Sequence, residues 1–79
     1  MIDDEQIREC QQLYALEVTH PAWRITIRPH GPVRWWATRY VPPTLAQISA
    51  GMVATVARHT GEALSSALAH QDEIAQRVR

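Results

Sequence analysis

Between residues 3 and 18 apolar side chains return at helical spacing. Ile7, Cys10, Leu13, Tyr14 and Val18 fall near one face of a 3.6-residue period, with Leu16 at its margin. Asp3 with Gln6 three residues on approximates a capping box, and Asp4 and Glu5 suit the positive end of a helix. His20-Pro21 ends the segment, because proline disfavours helical backbone at the residue before it.

The period then changes to two. Trp23-Arg24-Ile25-Thr26-Ile27-Arg28 alternates strictly, and Pro29-His30-Gly31-Pro32 is turn chemistry. A second run, Val33 to Val41, is rich in aromatic and β-branched residues and stops at Pro42-Pro43. The pattern predicts a β-hairpin over 23–41. Alternation places Trp23, Ile25 and Ile27 on one side with Val33, Trp35 and Ala37, which makes that side the buried one. Arg24, Thr26, Arg28, Arg34, Trp36, Thr38 and Tyr40 fall on the other. That second side is too polar for a core and too aromatic for plain solvent.

Residues 44–59 carry two signals. Thr44 with Gln47 forms a possible capping box, and Leu45, Ile48, Met52 and Val56 fit helical spacing. Gly51 costs about 1 kcal/mol in a helix interior, and Met52-Val-Ala-Thr-Val is β-rich. The reading adopted is a short helix at 44–50 and a third strand at roughly 52–58, which also relieves the marginal stability of a lone hairpin. Residues 60–78 form the clearest element. Thr60 caps, Glu62 sits in the first turn, and Leu64, Ala67, Leu68, Gln71, Ala75 and Val78 trace one stripe with Ile74 beside it. Arg77 and Arg79 suit the C-terminal end. The expected class is α+β: one domain over 1–79, α-β-β-(α)-β-α, a small antiparallel sheet covered by N- and C-terminal helices.

Length sharpens this picture. A chain of 79 residues buries only about 60% of the surface its unfolded form exposes, so stability is thin, and the single cysteine rules out an internal disulfide. Homodimerisation is a cheap way to enlarge such a core, with the tail of the last helix beyond Gln71 as an overhang for a second copy. No apolar run reaches the 18 or so residues of a membrane span, and the acidic start is the reverse of a secretory signal. A cytoplasmic protein is the expectation.

Net charge is zero, yet its placement is ordered. Residues 1–17 hold five acids against Arg8, whereas residues 18–61 hold no acid and the five arginines 24, 28, 34, 39 and 58. Such a middle presents a local positive field even in a neutral protein, because charges screen over about 8 Å at physiological salt.

Catalytic and metal chemistry find little support. His20, His30, His59, His70 and Cys10 show neither the i,i+4 spacing of a helical metal site nor a Cys-x-x-Cys, and Cys10 reads as a small buried hydrophobe. The serines lack a nucleophile-elbow pattern, no glycine-rich phosphate loop exists, and the acid-free middle removes the carboxylate of a triad. The expectation is a non-enzyme with no cofactor and no metal.

The constellation that remains is the Arg/aromatic side of the hairpin. Arginine over an aromatic ring gains about 0.5–2 kcal/mol, and the same residue types dominate protein–protein hot spots and single-strand nucleic-acid platforms. Arg24, Arg28, Arg34, Trp36 and Tyr40 are the expected partner-binding residues. Arginines would supply charged hydrogen bonds there, and Trp36 and Tyr40 buried area. A protein partner is the first expectation and nucleic acid the alternative.

Trp23-Arg24-Ile25 followed by Arg34-Trp35-Trp36-Ala37-Thr38-Arg39 resembles a group of small actinobacterial proteins with a W-R-I strand before a W-W/Y-A-T-R-like strand. Segments like Leu45-Ala-Gln-Ile-Ser-Ala-Gly and Glu62-Ala-Leu-Ser-Ser-Ala-Leu-Ala-His-Gln extend the likeness over most of the chain. The resemblance implies no particular chemistry. Members look like companions of helix-turn-helix regulators, which implies a regulatory or accessory role with a transcription regulator as possible partner.

Overall fold

A computed structural model describes residues 4–78. The elements run α1 (Asp4–Thr19), β1 (Trp23–Ile27), β2 (Trp35–Arg39), α2 (Leu45–Ser49), β3 (Thr55–Arg58) and α3 (Gly61–Arg77). The expected α+β layout is present: one three-stranded antiparallel sheet in the order β1-β2-β3, with α1 and α3 packed on it. The expected Asp3 cap and the Arg79 end charge lie outside the described residues.

Alternation sets the sheet. Thr26 pairs with Trp36 and Ile25 with Ala37, and Ala37 in turn pairs with Val56. Trp23, Ile25, Trp35, Ala37 and Val56 therefore point the same way and meet Leu16, Leu64 and Leu68 in one core. The two prolines at 29 and 32 lack ladder donors, so β2 begins at Trp35 rather than Val33. Residues 28–34 form an irregular connection, closed where Arg28 N–H donates to the Arg34 carbonyl at 2.8 Å.

The helix termini follow the chemistry expected of them. Thr44 and Gln47 complete a capping box, and the Thr60 hydroxyl accepts from Ala63 N–H at 3.1 Å. After α2, Met52 N–H reaches the Gln47 carbonyl at 3.0 Å and Gly51 N–H the Ile48 carbonyl at 3.0 Å, a Schellman closure. It needs a left-handed residue, and Gly51 supplies φ of 104°.

Two expectations need correcting. The helix α1 is rolled to the opposite side from the one its apolar count favours. Leu16 is buried and Leu13 packs against the core, while Ile7, Cys10, Tyr14 and Val18 face outward. Polar ties fix this roll. Glu9 binds Arg34 and His20 binds Asp72, and at about 100° per residue Glu9, Leu13, Leu16 and His20 share one side. The tail of α3 is not an overhang either. Ile74 is buried, and Ala75 lines an apolar groove with Met52 and Pro43.

β3 starts at Thr55 because the preceding backbone is claimed from elsewhere. Gln71, buried in α3, accepts from Val53 N–H at 2.9 Å and donates to the Gly51 carbonyl at 3.2 Å. The same Gln71 oxygen accepts from Arg39 at 3.1 Å.

Candidate interaction face

The side of the sheet away from the helices carries Arg24, Thr26, Trp36, Thr38, Thr55 and Ala57, none of them buried. Arg28 follows β1 and folds back, its guanidinium carbon 3.8 Å from the centroid of the Trp36 ring. Beneath, the Trp36 indole N–H donates to the Val33 carbonyl at 3.0 Å. The indole is thus pinned at its edge and capped by a cation on its surface. A guanidinium so held keeps its in-plane N–H groups available to an anion, and less rotamer entropy remains to be lost on binding.

Arg24 and Tyr40 flank this pair. Arg24 is exposed, and among the described residues no ion pair engages it. Tyr40 lies just past β2, with its side chain largely in solvent. Arg24, Thr26, Thr38, Arg39 and Tyr40 line an open depression of about 430 Å³. Each side chain there is a hydrogen-bond donor, and none is a carboxylate.

Arg34, expected on this face, does not belong to it. Its Nη1 donates to Glu9 Oε1 at 2.7 Å, its Nη2 to Glu9 Oε2 at 3.3 Å, and its Nε to the Arg28 carbonyl at 3.0 Å. The Glu9 hydrogen bond raises the guanidinium above its ordinary pKa, opposed by slight desolvation and aided by the Glu9 and Glu5 charges. Arg34 therefore clamps the hairpin connection to α1. The departure arises where strand alternation is extended past the first laddered residue, Trp35.

Arg39 is the charged residue whose structural part the period-two reading missed. It stacks on Trp23, 4.2 Å from the ring centroid, and donates to the Val53 carbonyl at 2.8 Å as well as to Gln71. Partial burial lowers its pKa, with the Asp72 charge opposing. The signal was present in its parity, which matches Trp35 and Ala37. His20 is likewise buried, donating from Nδ1 to Asp72 at 2.7 Å, and His59 Nδ1 donates to the Pro32 carbonyl. Two of the four histidines are accordingly structural. Cys10, expected in the interior, is exposed on the outer side of α1.

Among the described residues no three His, Cys, Asp or Glu side chains come together in a way that could hold a metal ion. No helix among them is long and apolar enough to cross a membrane. No family model, curated protein or solved structure matches the chain.

Proposed function

We propose that this chain is a non-catalytic interaction domain with a regulatory or accessory role, docking a protein partner on the open face of its sheet. The observation that carries the reading is Arg28 stacked on Trp36 in a face without acids, flanked by the exposed Arg24 and Tyr40. Arginine and aromatic side chains set on a rigid sheet are the residue types that concentrate binding energy at interfaces. The resemblance to the small actinobacterial group supports the same role and a transcription regulator as partner.

Co-purification from the native host with identification of the captured protein tests it. Joint Arg28→Ala and Trp36→Ala substitution is expected to abolish capture while the circular dichroism spectrum stays native. Unchanged capture overturns the reading.

Direct nucleic-acid binding by this face is the less favoured alternative. One surface of the Trp36 ring is already taken by Arg28, and Tyr40 is the more exposed ring for a base. A second copy of the chain is a further candidate partner, through the exposed Ile7, Tyr14 and Val18 of α1. Sedimentation across a concentration series decides that point.

A further inference from the structure

The charge pattern of the open face narrows what its partner must be. We infer that the occupant is an acidic protein segment, one of whose carboxylates enters the depression between Arg24 and Tyr40 while another meets the stacked Arg28. This rests on the docking reading above and adds the partner's chemistry to it.

Three observations support it. The depression offers Arg24 with the hydroxyls of Thr26, Thr38 and Tyr40, a set of donors suited to an oxyanion. Arg39 also lines it, but its Nε and one terminal nitrogen are committed to the Val53 carbonyl and Gln71, so Arg24 is the mobile charge. Residues 18–61 contain no acid, so the face lacks a carboxylate of its own strand segments to satisfy these groups. Glu9, with Glu5 beside it, approaches the hairpin at Arg34 and is consumed there, and the Asp72 charge acts on the already committed Arg39 rather than on Arg24 or Arg28.

Carboxylate is favoured over nucleic-acid phosphate on two grounds. A single-strand platform needs open rings for successive bases, and Arg28 covers Trp36. It also needs a line of cations along the backbone, and with Arg34 held by Glu9 and Arg39 by Val53 and Gln71, Arg24 and Arg28 are the guanidiniums left uncommitted on this face among the described residues.

The test uses the full chain and three labelled probes: a synthetic peptide alternating Glu and Thr, its counterpart alternating Gln and Thr, and an oligothymidylate. Fluorescence anisotropy should show saturable binding of the Glu peptide and none of the Gln peptide. Joint Arg24→Ala and Arg28→Ala substitution should weaken the Glu peptide at least about tenfold, the scale of losing charge-assisted hydrogen bonds. Arg77→Ala, an exposed change of charge at the end of α3, should leave it unchanged. Equal losses from Arg77→Ala would reduce the effect to net charge and overturn the inference. Saturable oligothymidylate binding without peptide binding would overturn it in favour of nucleic acid. Should no probe bind while the Arg28/Trp36 variant still loses its captured partner, the docking reading stands and the acidic segment is wrong. Should that variant keep its partner, the reading itself fails.

Discussion

The two sides of the sheet are built from the same three strands and treat their tryptophans oppositely. On the covered side Trp23 and Trp35 are buried among Leu16, Leu64 and Leu68, and a guanidinium, that of Arg39, is held by Trp23, Val53 and Gln71. On the open side Trp36 is half-buried, capped by Arg28 and bordered by threonines. Arginine–tryptophan stacking occurs on both, so stacking alone does not mark function. What differs is the remainder of the guanidinium: that of Arg39 is tied to protein oxygens, whereas among the described residues no hydrogen bond holds the side-chain N–H groups of Arg28.

Stability should divide along this line. Leu64 and Leu68 are both 0% exposed, and truncating either to Ala is expected to cost about 2–5 kcal/mol. In a domain this small that approaches the whole folding free energy, so urea denaturation should find little native baseline. Trp36→Ala should cost clearly less on the same axis. A Trp36→Ala loss equal to that of Leu68→Ala would show the open face to be core, and would break the comparison.

Gln71→Leu comes next. It keeps most of the volume but strands Val53 N–H and unties Arg39, with an expected loss of about 1–3 kcal/mol. Two glycines sharpen the local picture. Gly51→Ala forces a side chain onto φ of 104° and should cost about 1–2 kcal/mol. A Cβ at Gly61 would stand 2.4 Å from Gln12 Cδ, but that atom ends a flexible side chain. Gly61→Ala should therefore be the milder of the two in thermal denaturation, despite the closer approach.

Much of this architecture was legible in the residues. Period-two alternation placed Trp23, Ile25, Trp35 and Ala37 inward, and the Thr44–Gln47 and Thr60 caps formed as local chemistry dictates. The roll of α1 was not legible, because it has apolar residues on both sides. Long-range pairs decide between them, Glu9 with Arg34 across 25 positions and His20 with Asp72 across 52. Arg34 escaped for the same reason: alternation describes a strand only while the ladder continues, and its partner lies on another element. Arg24, Arg28, Trp36 and Tyr40 lie together on the open side, whereas Arg34 is drawn away by a partner distant in sequence.

Acid separates the two sides by a different route and with the smallest effect. Glu62 opens α3, where its own backbone N–H holds the carboxylate, followed by the Gln12 side chain and then Thr60. Together these outweigh desolvation and bring its pKa below the ordinary carboxylate range. The folded state thus prefers ionised Glu62 more than the unfolded chain does. Its contribution is fully present above the unfolded-state value and is lost as pH falls through the lowered folded-state value. Glu62→Gln should lower the urea midpoint slightly at neutral pH, and the gap to the parent chain should close in acid. A gap that persists at low pH would assign the loss to geometry rather than charge. The open face holds no carboxylate of its own strand segments to titrate in acid. Binding at Arg24 and Arg28 that weakens in acid before the fold does must therefore report carboxylates titrating on the partner.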